Sequence, residues 1–77
     1  MIFSTLNNLN SGESARIYSL NTAESLKKRL MDMGFIKGAG IECLFSSKGD
    51  EISAYLVRDT VIALRREDAM GIVTVVA

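Results

Sequence analysis

From Ile41 to Arg65 the chain runs as three alternating segments joined by loops of hairpin length, and this pattern constrains the fold more than any other feature. Ile41, Cys43 and Phe45 alternate with Glu42 and Leu44. Ile52, Ala54 and Leu56 alternate with Ser53, Tyr55 and Val57. Val61, Ala63 and Arg65 alternate with Ile62 and Leu64. A period of two marks a strand, because successive side chains leave opposite faces. The polar Ser46-Ser47-Lys48-Gly49-Asp50 stretch and the Arg58-Asp59 break suit antiparallel hairpins, so the three strands form a meander. Two more strands are read at Ala15–Leu20, after a Ser11–Ser14 turn, and at the β-branched end Ile72–Val76. Between them, Arg66–Gly71 is polar, with Ala69 and Met70 placed for one helical turn.

One helix interrupts the strands. Asn21-Thr22-Ala23-Glu24 reads as an N-cap with a glutamate three residues on, where Asn21 accepts from free backbone N–H groups and Glu24 reaches back. Ala23, Leu26, Leu30 and Met33 follow at helical spacing as one apolar stripe. Glu24–Lys28 and Lys28–Asp32 are i,i+4 pairs of opposite sign. Gly34 supplies the left-handed residue that ends the helix, which is expected over Thr22–Met33. Several strands are apolar on both faces, and one helix of about three turns is too small to cover a flat sheet. Curling the sheet buries one face inside. The expectation is a mainly β chain: a single domain over residues 1–77, built as a small SH3-like five-stranded barrel with one inserted α-helix over residues 22–33.

Composition removes most chemistry. The 77 residues bury roughly 60% of their surface on folding, enough for one thin core. Nine basic residues balance nine acidic ones, which argues against general nucleic-acid binding and against electrostatic attachment to membranes. There is no histidine, so no Ser-His or Cys-His pair can form. The lone cysteine, Cys43, shares a face with Ile41 and Phe45 and reads as a small core residue rather than a zinc ligand. It cannot form an internal disulfide, which fits a reducing compartment. The first residues show no signal peptide, and no apolar stretch nears the ~20 residues of a membrane span. The expectations are a cytoplasmic location, no enzyme activity, no metal site and no cofactor.

The remaining clusters have a structural and a functional reading each. Gly34, Gly38 and Gly40 follow a helix and precede a strand, the reverse of a phosphate loop, and read as a helix stop with a tight turn. Lys27-Lys28-Arg29 and Arg65-Arg66 read as solvated charge or as a docking patch for an acidic surface. Met31, Met33, Phe35 and Ile36 crowd the helix end. Either Phe35 and Ile36 plug the barrel, or the group forms an adaptable apolar edge beside Lys28 and Lys37. Met31 lies about 100° from Leu30 around the helix and is expected to be partly exposed. Tyr18 and Tyr55, the obvious stacking residues, are expected to be half-buried.

Arg29-Leu30-Met31-Asp32-Met33-Gly34-Phe35, then Lys37-Gly38 and Ile41, resembles the central signature of the FeoA family of bacterial ferrous-iron transport. The Leu9…Gly12…Ala15…Ile17 lead-in and the Ile62-Ala63-Leu64-Arg65-Arg66…Ala69…Ile72 ending extend the resemblance over essentially the whole chain. The family often has Pro where Lys37 stands and Asp-Pro where Asp50-Glu51 stands. The resemblance implies an SH3-like barrel and a non-enzymatic accessory role in iron uptake, in association with the cytoplasmic G-protein domain of the membrane transporter FeoB. A similar domain ends some metal-dependent transcriptional repressors. Lys28, Arg29, Met31, Met33, Phe35 and Lys37 are the expected partner-binding residues. The rival readings are a regulator of such a repressor and a weak Fe(II) metallochaperone using Cys43 and carboxylates. Weak self-association through an open edge at Ile72–Val76 is a further expectation.

Overall fold

The computed structural model describes residues 1–46 and 52–76. Strand β1 (Ile2–Thr5) leads through a 3-10 turn (Leu6–Asn8) to β2 (Ser14–Leu20), α1 (Glu24–Asp32), β3 (Gly40–Ser46), β4 (Ile52–Val57), β5 (Thr60–Arg65), α2 (Arg66–Ala69) and β6 (Ile72–Val76). One antiparallel sheet joins the strands in the order β1-β6-β2-β3-β4-β5. The mainly β class and the helix inserted between β2 and β3 are as expected, and β3, β4 and β5 form the meander. The loop expected over Ser46–Asp50 lies outside the described residues from position 47 onward.

The sheet has six strands where the sequence reading places five. The additional strand, β1, pairs Ile2 with Val76 and Thr5 with Val73. Ile2 and Phe3 are both exposed, so β1 shows no buried face that periodicity could detect. It exists because β6 offers it a ladder. For the same reason β6 is not an edge. It lies between β1 and β2, and among the described residues the open edges are β1 and β5.

The core gathers Leu6, Ile17, Leu30, Phe35, Ile41, Cys43, Tyr55, Val57, Ile62, Leu64, Ala69 and Ile72. Two register shifts bend the ladders, between Ile17 and Ser19 against β6 and between Cys43 and Phe45 against β4. The second overturns one expected face. Cys43 stands opposite Tyr55 and Phe45 opposite Ala54, so two residues on β3 are matched by one on β4. Such a bulge reverses the alternation beyond it. Cys43 stays inside, and Phe45 emerges 57% exposed.

The helix is shorter than expected at its start. Its N-cap is Ala23, with no side-chain cap bond, so the Asn21 cap and the Glu24 return bond do not form. The Asn21 backbone instead donates to Gly71 at the start of β6, 2.6 Å away. That bond ties the residue to the sheet rather than to the helix. Of the predicted stripe, Leu30 is fully buried, Leu26 and Met33 are partly buried against the core, and Ala23 is exposed. Neither Glu24–Lys28 nor Lys28–Asp32 closes to an ion pair; among the described residues the pair that does is Arg65–Glu67, at 3.8 Å and well exposed.

Candidate docking site

The helix exit is built from backbone bonds first. Met33 is the C-cap, and Gly34 follows it at φ +102°. The Gly34 N–H donates to the Met31 carbonyl at 3.1 Å, and the Phe35 N–H reaches back to the Leu30 carbonyl at 2.9 Å. These are the two bonds of a Schellman motif, which satisfies carbonyls left open at a helix end. Its usual hydrophobic contact joins the residues flanking it, here Leu30 and Phe35, and both are 0% exposed. Phe35 is therefore a core anchor. It offers no apolar surface to a partner, contrary to the role expected for it.

What the exit does present is Met31, 47% exposed, with exposed Lys28 and Arg29 before it and exposed Ile36 and Lys37 after it. Met33 lies half-buried against the core behind them. The expected partial exposure of Met31 is observed.

Lys37 occupies a defined place. The Ala39 N–H donates to the Ile36 carbonyl at 3.0 Å, and Gly38 has φ +90°. A positive φ at the third position marks a type II turn, whose second position suits proline. Lys37 stands at that second position. Its ammonium lies 4.6 Å from the centre of the Tyr18 ring. Tyr18 in turn meets Phe3 edge-on, with ring centres 4.8 Å apart. Tyr18, 40% exposed, thus joins β1 and β2 to the turn after the helix, a role that sequence reasoning missed. Its spacing from Lys37 could suggest such a contact only once the bulge at Ile17/Ser19 is known. Tyr55, expected to be half-buried, lies in the core.

Arg58 is the second missed residue. It and Asp59 have φ of 50° and 63°, the left-handed pair of a type I′ hairpin turn between β4 and β5. The turn throws the Arg58 stem across the helix exit, where its Cδ would lie 2.8 Å from a Cβ at Gly34. A cation beside a helix C-terminus is favourably placed against the partial negative charge there.

Cys43 is fully buried, and burial pushes its thiol above the ordinary value of 9.0; Glu13 and Glu42 add to the rise, against a lowering bond from the Phe45 backbone. A metal could reach it only by opening the core. No group of three potential ligands gathers among the described residues. A groove of about 660 Å³ crosses the ends of β2, β3 and β6. Arg16, Arg58, Glu42 and Asp59 stand on its wall. No helix of the described residues is long and apolar enough to cross a membrane.

Comparison with known proteins places this geometry. Residues 4–75 match the FeoA domain family. A Campylobacter jejuni protein provisionally named Fe(2+) transport protein A is 34% identical over 68 residues, covering 88% of this chain and 92% of that one. The crystal structure of Stenotrophomonas maltophilia FeoA in complex with zinc, described as a prokaryotic SH3 domain protein, superposes with a TM-score of 0.82 at 29% identity, covering 92% of this chain and 88% of that one. A manganese-dependent transcriptional repressor shares the fold alone, with a TM-score of 0.86 at 10% identity over 97% of this chain and 42% of its own. With the family match spanning nearly the whole length and the same barrel recurring in its relatives, this chain belongs to the FeoA family.

Proposed function

We propose that this chain is a non-enzymatic, cytoplasmic accessory protein of ferrous-iron uptake that docks on the G-protein domain of the transporter FeoB. Membership of the FeoA family and the name carried by the Campylobacter relative support the iron-transport role. The observation that carries the docking site is the helix exit: a buried Leu30–Phe35 anchor holds a rigid turn, and that turn carries an exposed methionine between cations. Met31 supplies adaptable apolar contact. Lys28, Arg29 and Lys37 steer toward carboxylates on the partner. Met33 and Phe35 hold the edge in shape from behind.

The test is binding of the purified G-protein domain, with GDP and with a GTP analogue, to wild type and to a Met31→Asp plus Lys28→Glu double variant. Both substitutions fall on exposed positions, so the fold should persist. The double variant should bind at least about tenfold more weakly, the usual scale for loss of an anchor and a steering charge. Wild-type affinity in a folded double variant would refute the site. A difference between the nucleotide states would mean that docking and nucleotide occupancy are linked.

A further inference from the structure

The β5 edge is open, and its chemistry is that of a strand waiting for a strand. The type I′ turn closes on the Val57–Thr60 pair, which exchanges backbone hydrogen bonds in such a hairpin. Counting from there, Thr60, Ile62 and Leu64 direct their N–H and C=O groups to β4, and Val61, Ala63 and Arg65 direct theirs outward. Natural edges are guarded by charged side chains, lysine above all, by proline or by a bulge. Thr60–Arg65 contains no lysine or proline, its one charged residue, Arg65, stands at its end, and its register with β4 is unbroken. The outer face beside the edge is apolar. Phe45, Ala54 and Ala63 stand in one row across the sheet, and Leu56 and Val61 in the next, which begins at Glu42 on β3 away from the edge, with Val61 62% exposed.

We propose that β5 pairs antiparallel with β5 of a second copy of this chain, about a two-fold axis at Ile62. The register follows from backbone direction and charge. Outward-facing groups sit on odd-numbered residues only, so a two-fold pairing must set odd against odd, and the registers centred on Ile62 and on Ala63 keep the longest overlap of the strand. Centring on Ala63 sets Val61 against Arg65 of the other copy and brings Asp59 toward Glu67, a like-charge contact. Centring on Ile62 sets Val61 against Ala63, apolar on apolar, and brings Asp59 beside Arg65 twice over by symmetry. Opposite charges facing each other across strands stabilise a ladder, and like charges oppose it. Arg65 is free to take this second partner, since its contact to Glu67 is long and solvent-exposed. The same register sets Arg58 opposite Arg66, and Arg58 does not oppose the arrangement, because its stem is turned away across Gly34. The pairing is isologous and consumes the edge on both chains, so it closes at a dimer.

The strand is six residues long, so the contact falls short of the roughly 800 Å² per partner of a standard interface. The expected dissociation constant is therefore on the order of 100 µM. The edge shares no residue with the docking turn proposed above, and the two can operate together.

Sedimentation equilibrium from about 10 µM to 1 mM tests the pairing across the expected constant. Wild type should pass from monomer to dimer. Arg65→Glu places a carboxylate against Asp59 of the other copy and should weaken association about tenfold; Asp59→Lys plus Arg65→Glu should restore it to within about threefold. Asp59→Asn keeps the left-handed turn and should weaken association by a smaller factor, which covers the case in which the lysine disturbs the turn. Val61→Lys guards the edge and should leave a folded monomer. Concentration-dependent amide shifts should centre on Val61, Ala63 and Arg65. A wild type monomeric at about 1 mM, an Arg65→Glu variant that dimerises as wild type, or shifts confined to Leu44 and Phe45 or to β1 would each overturn the proposal.

Discussion

Arg58 lies across Gly34, so that a methyl group at position 34 would stand 2.8 Å from the arginine Cδ. The hairpin turn between β4 and β5 and the exit of α1 are thereby held together by a residue that must have no side chain and one whose stem fills the space. Gly34 also carries φ +102°, which an L-residue adopts only under strain. Gly34→Ala should cost about 1–3 kcal/mol. Gly38→Ala, at φ +90° but with nothing within 4 Å of the new methyl, isolates the strain alone. Chemical denaturation of the two variants, and of Gly34→Ala combined with Arg58→Ala, separates crowding from backbone strain. If relief of the clash matters, the combined variant recovers the difference between the two single glycine variants.

Phe35 and Met31 should behave as opposites. Phe35→Ala removes a fully buried ring and should cost about 3–5 kcal/mol of stability. Met31→Ala, on the solvent side of the same turn, should stay within about 0.5 kcal/mol while weakening partner binding. Urea denaturation beside a binding assay reads both. A Phe35→Ala cost below about 1 kcal/mol would remove the anchor from the account of the docking turn.

Lys37 occupies the turn position that proline suits, and its ammonium over Tyr18 offsets the loss of rigidity. A cation over an exposed ring contributes about 0.5–1 kcal/mol, and a compatible proline about 0.4–1 kcal/mol. Lys37→Pro should therefore be nearly neutral in the wild type and stabilising by about 0.5 kcal/mol in a Tyr18→Leu background. Thermal unfolding of the four-member cycle measures the difference. Equal effects in both backgrounds would mean that the contact contributes nothing.

Burial raises the thiol of Cys43 and the phenol of Tyr55 above their ordinary values of 9.0 and 10.0, with a bond from the Ser53 side chain offsetting part of the rise at Tyr55. A raised acid keeps its proton in the folded chain and loses it more readily in the unfolded one. Stability should hold below about pH 8.5 and fall progressively above it. Cys43→Ala should lower overall stability through the lost packing yet flatten the decline near pH 9, leaving the part due to Tyr55 at higher pH. Midpoints of urea unfolding between about pH 7 and 11 read the slope. An unchanged slope in Cys43→Ala would sink the assignment to the thiol.

Local chemistry was legible wherever a few neighbouring residues decide the outcome. The alternation over Ile41–Arg65 identified the meander, Gly34 marked the helix stop, Arg58-Asp59 marked a two-residue turn, and Ala69 marked the short helix before the last strand. The helix start was misjudged, because Asn21 is claimed by a backbone bond to Gly71, fifty positions away in the chain. Of the docking residues, the exposure of Met31 followed from helical geometry. The burial of Phe35 needed the core that closes around it.

By itself, then, the sequence determined the types and order of the elements from Ala15 onward, the mainly β architecture and the absence of a histidine-based chemistry, since periodicity, turn residues and composition act within a few positions. Only the tertiary structure decided that β1 completes the sheet, that β5 rather than β6 is an open edge, that a bulge turns Phe45 outward, and that Tyr18 and Arg58 brace the helix exit. Each of these depends on which distant strand lies alongside and in what register. A shift of one residue in that register reverses every face beyond it, and the local pattern contains no record of it.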